Sequence, residues 1–338
     1  MASSVCESAT DEKAPIEFQY ANLVVFRDGR IQRTPWTPDD LAPACPFPSV
    51  TDTVASKDVL LNPQYSITLR LFLPPSPCER LPLLLYFHGG GFIGYCTAIR
   101  SLHNYLNRLA AHCAALVVSV DYRLAPEHPL PAAFEDCFEA LLWLDKQAAM
   151  ASRGDSSCDP WLRNHADFSR CVLMGDSAGG VIVHQVAMQA LGHGSWESEQ
   201  EERSLRHVAL KGMIICHPFF TCGREEEPPL DREPQLLEYF RMLKYLNAAM
   251  DSPLLDPFSL SSPPLAEIPL PSSIVFVAGQ DVLKHRGMAY HDGLVSARKK
   301  TNLSYREEEG HVFHIIKPNS PYVELFLEEV RNFICQNP

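Results

Sequence analysis

The sequence predicts an α/β chain built on a mostly parallel, doubly wound sheet with helices on both faces. Three observations predict it. Short runs that are apolar at nearly every position, such as Leu83–Phe87 and Ala114–Val120, read as strands buried on both sides. These runs alternate with longer stretches of helical spacing, the pattern of successive βαβ units. Glycine-rich turns then follow two of the strands, at His88-Gly89-Gly90-Gly91 and Gly175-Asp176-Ser177, which is the end of such a sheet where ligands bind.

Taken in order, residues 1–18 are polar and expected to fray. Tyr20–Phe26 reads as one strand, with a turn at Asp28-Gly29. Residues 34–50 hold five prolines together with Trp36 and Phe47, and are expected to form an irregular arm. Ser66–Leu73 alternates as a strand, and Leu83–Phe87 follows as a buried one. Ile99–Ala111 has helical spacing, Ala114–Val120 is strand-like, and Ala132–Ala149 is a helix with Phe134, Phe138, Leu141, Leu142 and Leu144 on one side. Arg170–Met174 is a strand that runs into Gly175-Asp176-Ser177 and a helix to about Leu191. Leu210–Cys216, Ser273–Ala278 and Asn302–Arg306 are further strands, and the last helices span about 284–299 and 321–335.

Two segments break the rhythm. Residues 193–206 are acidic and read as a solvated insertion, and 221–266 carries an amphipathic stretch at Leu236–Met250 between Ser/Pro loops. The expected organisation is an N-terminal arm over 1–50 that forms part of a cap, and one main domain over 51–338 with a cap insertion at about 221–266.

Composition excludes several function classes. Apolar residues make up 46% and charged residues 21% of the 338, the balance of a globular chain rather than a disordered one. The formal net charge is −12, which disfavours nucleic acid and anionic lipid as partners. No apolar run approaches 18 residues, so no membrane span is expected. The 11 cysteines include no CxxC, and Cys216 and Cys222 lack zinc-site spacing, so most are expected to be small buried hydrophobes and no metal is expected. The first residues offer neither a basic nor an apolar leader region, and a reducing cytoplasm is expected, with the nucleus also open.

Gly175-Asp176-Ser177-Ala178-Gly179 is a GxSxG between a buried strand and a helix. A nucleophile elbow needs that context: a sharp turn lifts the serine hydroxyl above the sheet, and small residues two positions away let the backbones approach. A serine hydroxyl needs a base, and in chain order an acid and a histidine should follow. Asp281 follows the strand Ser273–Ala278, and His311 follows the strand Asn302–Arg306. These are the expected catalytic residues, with Ser177 the nucleophile, His311 the base and Asp281 its orienting carboxylate. His314 is a rival that should face elsewhere. In His88-Gly89-Gly90-Gly91-Phe92, three glycines after a strand leave amides free, and with the Ala178 amide they make an oxyanion hole of Gly89, Gly90, Gly91 and Ala178. His88 should hold the loop. Asp121, Arg123 and Glu127 read as a structural ion-pair network.

On these motifs, together with Asp121-Tyr122-Arg123-Leu124-Ala125-Pro126-Glu127-His128, Leu130-Pro131-Ala132-Ala133-Phe134-Glu135-Asp136 and His311-Val312-Phe313-His314, the chain resembles the plant carboxylesterases of the hormone-sensitive-lipase group in the α/β-hydrolase fold. Arg27-Asp28-Gly29-Arg30 and Ser56-Lys57-Asp58-Val59 also look like that branch, and the resemblance spans about residues 20–335. It implies an eight-stranded sheet, a cap from the N-terminal arm and later helices, and no cofactor. The chain departs from the family pattern at Tyr95 and Val181, where glycine and asparagine are usual, at Thr221-Cys222, where Gly-Gly is frequent, and in the cap stretch Phe240–Met250. Phe92, Tyr95 and Val181 are the expected substrate-pocket residues. Tyr95 would narrow the acyl pocket or supply a hydrogen bond.

The expected function is hydrolysis of small, fairly apolar carboxylic esters through an acyl-enzyme on Ser177, by a monomer or homodimer acting on a small molecule. A dehydratase or cyclase of plant specialised metabolism is the alternative, since hydroxyisoflavanone dehydratases resemble this family and a histidine beside oxyanion donors also suits elimination. A small-molecule receptor like the gibberellin receptors is the second alternative, disfavoured because those lack the catalytic histidine and this chain has His311.

Overall fold

A computed structural model describes residues 15–47, 53–75, 80–197, 204–222 and 234–337, with the side chains of 234–238 excepted. Residues 1–14 of the tail expected to fray lie outside these residues, whereas Ile16–Phe18 belong to a strand with Phe18 buried, and the acidic insertion and cap segment lie partly outside the described residues.

The chain opens with three short strands, β1 (Ile16–Tyr20), β2 (Leu23–Phe26) and β3 (Ile31–Arg33), which form a small antiparallel sheet. The single strand expected over Tyr20–Phe26 is therefore two, divided by a turn in which Ala21 has φ +50°. The apolar run conceals that turn because Leu23 and Val25 are core residues on either reading.

The main sheet follows, with β4 (Ala55–Asn62), β5 (Ile67–Leu73), β6 (Leu81–Phe87), α1 (Arg100–Cys113), β7 (Leu116–Asp121), α2 (Ala132–Ser152), α3 (Pro160–His165), β8 (Ala166–Asp176), α4 (Ala178–Ala190) and β9 (Leu210–Cys216). Next come α5 (Pro234–Leu243), β10 (Ser272–Ala278), α6 (Lys284–Ser296), β11 (Thr301–Arg306), α7 (Phe313–Ile316) and α8 (Tyr322–Gln336). Its eight strands lie in the order β11-β10-β9-β8-β6-β7-β5-β4. The six from β6 to β11 are mutually parallel, and β5 and β4 add antiparallel at one edge. A four-residue connection, 63–66, can join only antiparallel neighbours. The edge strand β4 was not legible as a strand. It carries Lys57, Asp58 and Asn62, the charge and polarity that protect an open edge. The amphipathic stretch at Leu236–Met250 holds most of α5, which ends at Leu243 and is followed by turns.

The central strands are apolar throughout because each feeds two cores. Leu83, Leu85 and Phe87 of β6 join the cluster built with α2 and α4, and Leu84 and Tyr86 join the one built with α1 and α8. Burying both faces in this way leaves one side of the molecule, beyond the carboxyl ends of β6, β8, β10 and β11, to carry loops.

Candidate active site

β8 ends at Asp176, Ser177 takes φ +54° and ψ −115°, and α4 begins at Ala178. A non-glycine residue in that region costs about 1–3 kcal/mol and persists only where its surroundings hold it. Here they do. The Ser177 amide donates to the Cys216 carbonyl at 2.8 Å, and the Ser177 carbonyl accepts from the amides of Gly180 and Phe219, each at 3.0 Å. The flanking glycines are required by contact. A Cβ on Gly175 would lie 3.0 Å from Cα of Gly179, and one on Gly179 would lie 2.8 Å from the Phe87 carbonyl carbon. The turn sets Ser177 at the N-terminus of α4, where the helix dipole favours developing negative charge.

The glycine loop after β6 packs directly on this elbow. A Cβ on Gly89 would stand 2.9 Å from the Asp176 carbonyl and 3.2 Å from Cβ of Ser177. The Gly90 carbonyl accepts from the amides of Ile93 (3.0 Å) and Gly94 (2.9 Å), closing a turn in which Gly90 and Gly91 have φ +110° and +62°. Among the described residues, the amides of Gly90, Gly91 and Ala178 donate to no protein acceptor. His88 holds the loop as expected: its ring stacks on Tyr122 at 4.2 Å, Tyr122 donates to the His88 carbonyl at 2.7 Å, and burial pushes its pKa down to about 4.

Asp281 follows β10 and His311 follows β11, and the fold brings them together, with Nδ1 of His311 at 2.7 Å from Oδ2 of Asp281. The other Asp281 oxygen accepts from the Leu283 amide at 2.8 Å. Burial alone would raise the Asp281 pKa, but the charge and hydrogen bond of His311 hold it below the ordinary carboxylate value. Its surroundings likewise disfavour the His311 cation, and Asp281 more than offsets this, so the His311 pKa is raised above 6.5. An imidazole beside an ionised carboxylate is the better base for that reason.

Two cavities meet at this point. One of about 130 Å³ is lined by Gly89, Gly90, Tyr95 and Leu102, and one of about 560 Å³ by Phe219, Tyr239, Met242, Val282 and Leu283. Both are also lined by Ser177, His311 and Tyr20. The expected pocket residues divide differently. Tyr95 does line the smaller cavity, in the left-handed region at φ +74°. Val181 lines none of the described cavities: it is buried in the core on α4. Phe92 is also buried, packed edge-on against Phe134 and Phe219, so it stands behind the larger cavity rather than in its wall.

The Asp121–Glu127 network resolves into separate contacts. Arg123 pairs with Asp136 at 2.7 Å and Glu135 at 3.0 Å, Glu127 pairs with Arg33 of β3 at 2.8 Å, and Asp121 accepts the Thr97 amide at 3.2 Å.

Sequence reasoning missed two participants, His217 and Tyr20, and placed a third, His314, away from Ser177 without finding its partner. His217, at φ +47°, accepts the Val312 amide on Nδ1 at 3.0 Å and so anchors the loop that carries His311. Its buried ring, with a pKa pushed down to about 3, stays neutral. Donor atoms of His217, Asp281 and His311 lie within 4.8 Å of one another, a set chemically suited to a metal, though a metal would have to displace the Val312 and Asp281–His311 hydrogen bonds. His314 turns away from Ser177 and pairs with Asp176 at 2.7 Å. Tyr20 comes from the N-terminal strands, where no motif pointed to it.

The family model for the alpha/beta hydrolase fold matches residues 84–315. Tuliposide A-converting enzyme 1, chloroplastic, of Tulipa gesneriana is 38% identical over 87% of this chain and 71% of that protein. The 2-hydroxyisoflavanone dehydratase of Glycyrrhiza echinata is 32% identical over 99% of this chain and 100% of that protein. Among solved structures, a Pyrobaculum calidifontis esterase superposes with a TM-score of 0.61 and 25% identity, covering 83% of this chain and 84% of that one. The chloroplastic and amyloplastic names of the tulip relatives overturn the cytoplasmic expectation. Among the described residues no helix is long and apolar enough to cross a membrane.

Proposed function

The chain belongs to the α/β-hydrolase fold family, among its plant carboxylesterases, and from that premise we propose that it hydrolyses carboxylic esters through an acyl-enzyme on Ser177. The observation that carries this reading is the 2.7 Å His311–Asp281 bond, set beside the strained Ser177 in one cavity wall. Ser177 Oγ forms a bond to the ester carbonyl carbon while His311 takes its proton. Amides of the Gly89–Gly91 loop and Ala178 receive the negative oxygen. On collapse the carbon–oxygen bond to the alcohol breaks, and His311 returns the proton to that oxygen. Water then attacks the acyl carbonyl by the same route, releasing the acid and restoring Ser177. Asp281 stabilises the transient imidazolium throughout. The described parts of the N-terminal arm and of the 221–266 segment, 15–47 and 234–266, serve as the cap, a reading supported by Tyr20 and Met242 in the cavity walls.

The test is turnover of p-nitrophenyl acetate, butyrate and octanoate, with fluorophosphonate labelling, by wild type and Ser177→Ala. Turnover and labelling that both vanish in the variant are expected, and turnover that survives the substitution overturns the acyl-enzyme. The 32% identity to a dehydratase across nearly the whole chain favours a second reading, elimination by His311 without an acyl-enzyme. Under it, Ser177→Ala would keep activity on a β-hydroxy ketone while His311→Ala would lose it.

A further inference from the structure

Met242, the last residue but one of α5, turns its sulfur onto the oxyanion loop. A Cβ on Gly91 would stand 2.6 Å from Met242 Sδ, so the sulfur packs on the Gly91 backbone, where only glycine leaves it room. Met242 also lines the larger cavity together with Ser177 and His311. A thioether suits this place as a soft apolar filler that competes weakly for hydrogen bonds. The other described methionines differ. Met174, Met188 and Met213 are sealed in the core, and the half-buried Met150, Met250 and Met288 line neither Ser177 cavity. Among the described methionines, Met242 alone joins cavity access to contact with the oxyanion loop.

That position gives oxidation of the sulfur a specific consequence. Hydrogen peroxide transfers one oxygen to a thioether: a sulfur–oxygen bond forms, the peroxide O–O bond breaks, and water leaves. The sulfoxide oxygen is a strong acceptor. Around it the cavity presents Phe219, Val282 and Leu283, which offer no side-chain donor. A polar oxygen held in such a wall is costly unless a donor reaches it. The amides of Gly90 and Gly91 on the adjoining loop donate to no protein acceptor and can supply that bond. They are the same amides that an ester needs for its developing oxyanion. Resting on the ester-hydrolase reading of Ser177, we propose that Met242 is a peroxide-sensitive modification site, whose sulfoxide oxygen fills the oxyanion hole and shuts the enzyme off.

The experiment treats wild type and Met242→Leu, a volume-conserving swap, with hydrogen peroxide. Dithiothreitol then returns reversibly oxidised thiols of Cys45, Cys96 and Cys335, which are not fully buried. Turnover of p-nitrophenyl butyrate is scaled to each protein's own untreated rate, and peptide mapping follows each methionine. Wild-type kcat should fall about a hundredfold as Met242 becomes the sulfoxide, the cost of losing an oxyanion donor, while Met242→Leu keeps most of its own rate. An equal loss in Met242→Leu overturns the proposal. So does full activity with Met242 oxidised, or a Met242 that stays reduced after Met150, Met250 and Met288 have reacted. In [15N]glycine-labelled Ser177→Ala protein, an amide proton of Gly90 or Gly91 should move downfield on oxidation. Resonances that stay put overturn the proposal, whatever happens to activity. If untreated wild type turns over no ester, the ester-hydrolase reading fails instead, and the glycine resonances alone decide the modification.

Discussion

Nε2 of His314 lies 2.7 Å from Oδ1 of Asp176, a buried pair that sits one residue before Ser177 in the chain and mirrors the His311–Asp281 pair of the same length. His217 stands between them, its ring 5.6 Å from His314 and 5.9 Å from His311. The two pairs differ in access. His311 keeps 35% of its side chain exposed to the cavity, whereas His314 keeps none and is stacked on Phe326. The accessible pair is suited to moving protons, and the enclosed one to holding the elbow.

The enclosed pair should therefore act through stability. Burial alone would raise the Asp176 pKa, but His314, with help from the Tyr86 hydroxyl, holds it below the ordinary carboxylate value. Removing one member of such a pair strands a buried carboxylate and costs about 3–5 kcal/mol. His314→Ala should lower the urea midpoint accordingly at pH 7. Because a depressed carboxylate stabilises above its unfolded pKa, wild type should lose this contribution only as pH falls through the native value, below the ordinary 3.8. A midpoint unchanged at pH 7 would show that the pair adds no net stability.

Asp281→Asn tests the accessible pair. On the proposed mechanism the amide leaves the imidazole in the wrong tautomer, and kcat should drop by about 10⁴. The acid limb of kcat/KM should move as well. His311 must be neutral to accept the Ser177 proton, so activity falls as pH drops through its raised pKa. Without Asp281 the remaining influence of the surroundings disfavours the cation, and the limb should shift to lower pH. His217 and His88, pushed down to about 3 and about 4, stay neutral over the working range and cannot supply this limb. An unmoved limb, or one displaced toward alkaline pH, would remove His311–Asp281 from the reaction.

Tyr95→Gly separates strain from selectivity. Tyr95 lies at φ +74°, where a side chain costs about 1–2 kcal/mol, and glycine loses about 0.5–1 kcal/mol more in chain entropy. The two nearly cancel, so stability should change by less than about 1 kcal/mol. The same ring lines the Ser177 cavity, a groove beside Trp36 and a third cavity beside Asp121. Removing it should broaden the range of p-nitrophenyl esters hydrolysed toward bulkier ones. An unaltered chain-length profile would make Tyr95 a bystander.

Much of this architecture could be read before any coordinates. Continuous apolar strands announced a sheet buried on both faces, because only flanking helices allow polar residues to vanish from both sides of Leu83–Phe87. Ser177 and the Gly89–Gly91 loop were legible because an elbow and an amide-rich turn demand small residues at set spacings, and chain order after two strands singled out Asp281 and His311. Other features depended on which segments meet in space. Val181 is on the core side of α4 because the helix phase at the elbow turns it there, and His314 faces Asp176 because α7 follows a left-handed residue, Val312 at φ +45°. His217, Tyr20 and Trp36 carry no local motif. They reach the site from the loop after β9, from β1 and from the arm after β3, through contacts with residues distant in the chain that no one-dimensional pattern encodes. Local spacing determined the chemistry that Ser177 is equipped for, and only the packing of distant segments decided the shape and polarity of what can reach it.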